Sequence, residues 1–408
     1  DDKPTPEETP VTGAIELSGN LSTQTLDAKK KYVLKGQVFV NDGQVLTIPA
    51  GTVIMGDKAT KGLLVINRGG KIMAEGTAAN PIVFTSERAV GERDKGDWGG
   101  IIILGRANCN QNGPSIEGVS PSVAFGTFQS TSYNTESSGV LKYVRIEYAG
   151  IALSPNNETN SLTLGAVGSG TTIEYVQSSF GGDDGFEWFG GTVNCKNLIS
   201  YGTWDDDFDN DFGYTGHVQF ALAIRDPFAA DQSGSNAWEC DNDAGGNDVQ
   251  PYTSPVFSNV TVLGPMYDST KSISGNYQHA MHLRRRTAVS IFNSVIAGFP
   301  AGFRLDGTST EAQYITNANG VVKNNVLVTF SKGTAAPLPY QSTTSGAAQT
   351  YWEANNDMAL SLSKSNSALI TAGLDVNLFF GKTVPYLANP GFGTLGTIGT
   401  SATGADFS

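Results

Sequence analysis

Four short apolar runs stand between residues 45 and 107: VLTIPAGTVIMG (45–56), GLLVINRGGKIMAEG (62–76), PIVFTSE (81–87) and GGIIILGRA (99–107). Gly, Asn, Asp or Pro separates them. With Leu46, Leu64, Val83 and Ile102 taken as equivalent positions, the spacings are 18, 19 and 19 residues. Val144 to Leu164 and Ile173 to Val193 each add 20, and the polar segment between Gly105 and Ser138 reads as a long inserted loop. A sustained period near 20 is the mark of a solenoid. Hairpin proteins need tight Asn-Gly turns between alternating strands, whereas these connections are longer and several runs are almost wholly apolar. A βαβ fold needs a helical segment between its strands, and the repeats contain none. The expected fold is therefore all-β, a parallel β-helix in which like residues of successive coils stack about 4.8 Å apart. Gly and Asn belong at its corners, where φ is often positive.

Composition agrees. The chain has 408 residues, 49 of them Gly, with 16% charged residues and no long Ala/Leu/Glu/Lys-rich helical stretch. A net charge of -13 argues against nucleic acid and anionic membranes as partners. No run of about 18 apolar residues marks a transmembrane segment. Three scattered cysteines, Cys109, Cys195 and Cys240, form neither a disulfide framework nor a zinc site. Cys195 reads as a small buried hydrophobe. Residues 1–11 are acidic and Pro-rich and read as a flexible tether, 12–330 as the β-helix, and 331–408 as a C-terminal cap containing short helices that covers the solenoid's open end.

The order and wording of several segments carry a resemblance. LTIPAGTVIMGDKATKGLLVINRGGKIMAEG, DWGGIIILGRA, LKYVRIEYAGI, GAVGSGTTIEYVQ, DDGFEWFGGTV, DDDFDNDFGYTGHVQF and LRRRTA, spread over most of residues 32–310, are similar to a family of secreted or surface-anchored right-handed parallel β-helix proteins of Gram-negative, Bacteroidota-type bacteria. Many of its members are lipoproteins. The resemblance implies a right-handed β-helix and an extracytoplasmic location, as an outer-membrane surface lipoprotein or a secreted protein. It implies little about activity.

One stretch is conspicuous for its charge. GTWDDDFDNDFGYTG (202–216) holds five aspartates. In an extended segment Asp205, Asp207, Asp209 and Asp211 share one face, about 6.6 Å apart, where each neighbouring pair repels by roughly 2.5 kcal/mol at an effective dielectric of about 20. Alignment of the later coils extends the pattern. Phe186-Glu187, Phe208-Asp209, Trp238-Glu239, Leu283-Arg284 and Phe303-Arg304 share an apolar-then-charged form, so the first members are expected to stack inside and the second outside. The exterior column then runs acid, acid, acid, base, base, and Arg-carboxylate pairs form where the signs meet. Carboxylate oxygens at this density suit Ca²⁺, with Asp205, Asp207, Asp209 and Asp211 as candidate ligands, although an EF-hand is excluded because Asn210 and Gly216 stand where Gly and Glu are required. No cofactor is otherwise required.

Two functions follow. The leading expectation is a non-catalytic surface protein that binds a glycan or another envelope macromolecule, alone or beside an outer-membrane transporter, through Glu187, Trp188, Trp204, Asp209, Tyr214, Glu239, Arg284 and Arg304, with the aromatics stacking on sugar rings. The alternative is a polysaccharide-degrading enzyme. An inverting glycoside hydrolase would use Asp183 and Asp184 with His217 and Arg284, and a Ca²⁺-dependent polyuronate lyase would use the acidic cluster beside Arg284. Against the hydrolase stands SLTLGAVGSGTT, which lacks an Asn-Thr-Asp motif one coil earlier. Ser-nucleophile, phosphate-loop and dinucleotide motifs are missing.

Overall fold

Strand after strand pairs in parallel with the segment one coil further along the chain, on three faces. The computed structural model describes residues 13–362, apart from 117, 155–156, 267–271, 331, 333–336 and 357. The first sheet contains Leu63–Ile66, Ile101–Leu104, Leu162–Gly165, Phe186–Phe189, Phe208–Asp211, Trp238–Cys240, His279–Leu283, Ala301–Leu305 and Leu338–Ser342. The second runs from Gln24–Thr25 through Cys195–Lys196 and His217–Gln219 to Val322–Lys323. The third runs from Ile15–Leu21 through Val53–Gly56, Ile199–Tyr201 and Leu222–Ile224 to Met358–Leu362. The all-β, parallel β-helix expectation holds.

The equivalences that suggested it do not. Leu46 pairs with Ile72 on the second sheet, Leu64 with Ile101 on the first, Val83 with Arg145 on the third and Ile102 with Thr163 on the first. Val144 stacks on Val176 rather than Leu164, and Ile173 on Cys195 rather than Val193. An uninterrupted coil takes 22 residues, as from Phe186 to Phe208 or Ile173 to Cys195. Every face supplies inward apolar residues, so a wrong register that jumps between faces still meets a hydrophobic residue. The winding also passes residue 330: Leu338–Ser342 pairs with Ala301–Leu305, and Met358–Leu362 with Val326–Phe330. Helices interrupt it at Thr308–Ile315, which the sequence did not suggest, and at Ala347–Asn355. The tether and the last part of the expected cap lie outside the described residues.

Aromatic and aliphatic columns fill the interior. Leu64, Ile101, Leu162, Phe186, Phe208, Trp238, Met281 and Phe303 follow one another in register, all fully buried. Burying each such side chain contributes about 1.5–3 kcal/mol, an upper estimate because the unfolded chain is itself partly compact. Cys109, Cys195 and Cys240 are buried free thiols. The corner between the second and third sheets is left-handed in coil after coil, at Tyr143, Tyr175, Asn197, Phe220, Asn259, Asn293 and Asn324, with φ between 50° and 59°. Asn is the non-glycine residue best suited to that conformation.

Insertions leave the coil where the first sheet begins and ends. Residues 105–138 fold over the early part of its outer face, burying Val65 and Ile102 against Cys109, Val119 and Phe125. Beyond Thr163 the same outward column becomes charged.

Candidate functional site

Two four-residue strands position the acidic groups. In Phe186–Phe189 and Phe208–Asp211 burial alternates, so Phe186, Trp188, Phe208 and Asn210 face the core while Glu187, Phe189, Asp209 and Asp211 face outward. Register then sets Glu187 beside Asp209, Asp209 beside Glu239, Glu239 beside His282, and His282 beside Arg304. Each step is about 4.8 Å.

The column departs from expectation at its fourth member. Met281, not Leu283, continues the interior stack, and His282 takes the place assigned to Arg284. Arg284 follows the strand's last residue and reaches back, pairing with Glu239 and, at 2.7 Å, with Asp241. Arg285 pairs with Asp241 at 2.7 Å and Arg286 with Asp248 at 3.4 Å. Arg285 and Arg286 have φ of 47° and 70°, so the triplet is a turn and all three side chains reach one acidic loop. Arg304 pairs instead with Asp306, which also meets His282 Nε2 at 3.0 Å.

Behind the outward column runs a second ladder, of side chains two residues before each strand. Asn160 Oδ1 accepts from the Asp184 amide at 3.2 Å, Asp184 Oδ1 from the Asp206 amide at 2.8 Å, Asp206 Oδ1 from the Asn236 amide, and Asn236 Oδ1 from the His279 amide at 3.0 Å. Each link ties one coil to the next. The amides at its ends also orient the outward acids: Asn160 Nδ2 donates to Glu187, and Asn236 Nδ2 donates to Glu239 at 3.3 Å. Sequence reading missed Asn160 and Asn236. The signal was their constant offset from the strand start, which shows only once the strands are in register.

The carboxyls crowd. Oxygens of Asp183, Asp184 and Asp205 lie within 4.8 Å of one another, as do those of Asp184, Glu187 and Asp209, and those of Asp206, Asp209 and Glu239. Two ionised groups at that distance repel by roughly 3.5 kcal/mol at an effective dielectric of about 20. Burial first, and neighbouring carboxylates second, push Asp183, Asp184, Asp206 and Asp209 well above the usual range. Burial raises Glu187 to about 8, with Asp211 adding to the rise and the Asn160 hydrogen bond opposing it. Burial raises Glu239 to about 7, held down by the Arg284 guanidinium. Asp205 rises to about 6 and Asp211 to about 8, both mainly by burial.

Other expected site residues lie elsewhere. Asp207 is fully buried, paired with Arg225 at 3.3 Å and accepting from Ser200 Oγ at 2.6 Å, so it belongs to the interior and not to a set of cation ligands. The strand begins only at Phe208, and the turn before it turns Asp206 toward the cluster and Asp207 away. Asp211 faces outward one position beyond Asp209, outside the three close groups. Trp188 and Tyr214 stack on each other at 5.5 Å and are completely buried, so neither offers a face to a ligand. Trp188 is inward because it stands two residues after Phe186. Trp204 is 38% exposed beside the cluster, its Nε1 donating to Asp231 at 3.2 Å. His217 lies on the second sheet, away from Asp183 and Asp184 on the first.

The column opens into clefts at both ends. One of about 380 Å³ is lined by Ser115, Ile116, Glu158, Asp183, Asp184 and Glu187. The other, about 550 Å³, is lined by Arg304, Asp306, Tyr340 and Gln341. The inserted loop at 115–116 thus forms a wall of the first.

The sequence matches the pectate-lyase-like β-helix domain over residues 19–368. The chain belongs to that family. Among curated proteins none matches this member of the pectate-lyase-like β-helix family. Two solved structures are similar to it. One is the catalytic domain of Agl-KA, at 12% identity and a TM-score of 0.44, covering 82% of this chain. The chain spans 58% of that domain's length. The other is the catalytic domain of a GH87 α-1,3-glucanase variant in complex with tetrasaccharides, at 11% identity and a TM-score of 0.26, covering 88% of this chain and 70% of that one.

Proposed function

We propose that the chain is a polysaccharide-cleaving enzyme, an inverting glycoside hydrolase whose catalytic residues are Glu187 and Glu239. The observation that carries this reading is the contrast between two glutamates of one outward column. Burial raises both, but Glu187 has acidic neighbours and holds its proton to about pH 8 in spite of the Asn160 amide, whereas Arg284 lies against Glu239 and keeps it lower, at about 7. Environments that separate two carboxyls in this way assign the acid and the base. The two stand two coil steps apart, about 9.6 Å between backbone positions with Asp209 between them, a spacing that suits the wider carboxyl separation of inverting enzymes.

In the reaction, Glu239 takes a proton from a water whose oxygen attacks the anomeric carbon. The glycosidic C–O bond breaks as Glu187 delivers its proton to the leaving oxygen. Solvent then removes the proton from Glu239 and restores one to Glu187. Asp209, between them, holds a substrate hydroxyl. The backbone ladder through Asp184 and Asp206 fixes these groups on rigid strands. This reverses the order of the two expectations from sequence, because Trp188 and Tyr214 are unavailable for stacking while the paired carboxyls gain the burial and opposed surroundings of an acid and a base. The proposed substrate class is a neutral polysaccharide, whose hydroxyls can donate to an ionised carboxylate and accept from a protonated carboxyl. A surface or secreted location belongs with the same reading.

The test is release of reducing ends from a panel of neutral polysaccharides, with the product anomer followed by NMR. Inversion is expected, together with a loss of about 10²–10⁴ in rate for Glu187→Gln. Absence of cleavage across the panel, or unchanged cleavage by the variant, overturns the reading.

A second reading rests on the close groups themselves. Asp184, Glu187 and Asp209, or Asp206, Asp209 and Glu239, supply only hard oxygen donors, which fit Ca²⁺. When bound, the cation would offset the carboxylate repulsion and bridge to sugar oxygens, making the site a Ca²⁺-dependent glycan receptor. Calorimetric titration of EDTA-treated protein with CaCl₂ decides it: a saturable isotherm lost in Asp209→Asn supports it, and no heat of binding removes it.

A further inference from the structure

On the side of the solenoid away from the acidic column, a groove of about 600 Å³ runs along the corner between the second and third sheets. Tyr143, Tyr175, Asn197 and Phe220 occupy this corner in four successive coils, all left-handed. In the next three coils the corner residue is Asn259, Asn293 and Asn324. Bulky residues are outliers in this conformation, and where Asn serves later coils so regularly, aromatics here are not dictated by the backbone.

Tyr143 and Tyr175 stack at 4.4 Å and 9°. Tyr175 is 41% exposed and Phe220 48%. Between them stands the smaller Asn197, so two aromatic side chains are separated by two coil steps, about 9.6 Å, with a gap at the middle coil. Among the described residues no hydrogen bond occupies the Asn197 side-chain amide. Ile199 and Leu222 line the floor beside Gln177. The cation at this wall, Arg145, is already paired with Glu147.

We propose that this groove is a second carbohydrate site, taking one neutral pyranose unit of a polysaccharide between Tyr175 and Phe220. A sugar ring has C–H faces that suit aromatic rings and hydroxyl edges that suit an amide such as that of Asn197. A ring held by two aromatic faces needs roughly the space that one missing aromatic leaves. Among the described residues no unpaired cation lines the groove, and this, with the chain's net charge of -13, disfavours a nucleotide or a uronate. The site rests on the hydrolase reading only in taking its ligand from the same polymer, and would anchor the chain to it while the opposite face acts.

The experiment is affinity electrophoresis of the full chain in native gels containing dextran, laminarin or galactomannan, with Tyr175→Asn/Phe220→Asn as the test variant. Asn is the residue that this corner carries in later coils, so the variant should keep the wild-type melting temperature. Retardation of the wild type and of Glu187→Gln in at least one gel is expected, with the double variant bound about tenfold more weakly. Its hydrolysis of short oligosaccharides should be unchanged. Equal retardation of the double variant, or no retardation in any gel, overturns the proposal. So does a concentration-dependent dimer in sedimentation that the double variant abolishes, since a second copy would then fill the groove. Failure of the hydrolase reading shows separately, as absent hydrolysis with retardation intact.

Discussion

Arg225 and Asp207 form an ion pair from which solvent is excluded: Nη1 lies 3.3 Å from Oδ1 and both side chains are fully buried. Arg225 also donates to the Asp205 carbonyl at 2.5 Å and lies over the Tyr277 ring at 5.1 Å from its centroid. This arrangement locks the turn that carries Asp205 and Asp206 into the acidic cluster. Removing one partner leaves an uncompensated charge inside. Arg225→Met should therefore cost about 3–5 kcal/mol in denaturant unfolding, and Asp207→Leu/Arg225→Met should cost less than Arg225→Met alone. An Arg225→Met variant as stable as the wild type would contradict the pairing.

The pH dependence of hydrolysis follows from the two glutamates. Glu239 must be ionised, which fails below about 7, and Glu187 protonated, which fails above about 8. A narrow bell in kcat/KM between these limits is expected. Because Arg284 holds Glu239 down, Arg284→Met should move the acidic limb to higher pH and narrow the bell further. A limb that stays in place would separate Arg284 from the base.

Stability should fall as the solution becomes more alkaline. Glu187 and Glu239 have an ordinary value of 4.5 and are raised in the folded chain to about 8 and about 7. Below pH 4.5 both states hold these protons. Above 4.5 only the folded state does, Glu239 up to about 7 and Glu187 up to about 8, so each pH unit in that window favours unfolding. The melting temperature should decline across that window, with a shallower slope in Glu187→Gln. If Ca²⁺ binds, CaCl₂ should restore stability at pH 8 and have little effect at pH 5, where protons occupy the same oxygens.

The left-handed corners give a prediction independent of the site. Asn293 has φ 52°. Asn293→Val should lower stability by about 1–2 kcal/mol, and Asn293→Gly should be nearly neutral. Equal losses in both variants would show that the corner's side-chain contacts matter more than its backbone.

How much of this was legible in the sequence depends on what alternation preserves. Glu187, Asp209 and Glu239 could be stacked by eye because FEWF and FDND share a clear in-and-out pattern at 22 residues. The slip from His282 to Arg284 was invisible for the same reason: a shift of two residues keeps every side chain on its face, so Leu283-Arg284 reads as well as Met281-His282. Asp206 and Asp207 exchanged places because they precede the strand, where a turn and not a pleat decides direction. Arg225 lies in a corner of the third sheet, and nothing local in ALAIRDPF announces that its partner stands 18 residues earlier. The aromatic corner was missed because Tyr143, Tyr175 and Phe220 are separated by unequal insertions that hide their equivalence.

The outward column of the first sheet is a ruler whose divisions are coils. Each turn of the chain adds one graduation of about 4.8 Å and one side chain to the working face. A coil added beyond Arg304 would lengthen that face by one graduation while leaving the spacing of Glu187 and Glu239 unchanged, so the reach of the face is a matter of counting turns.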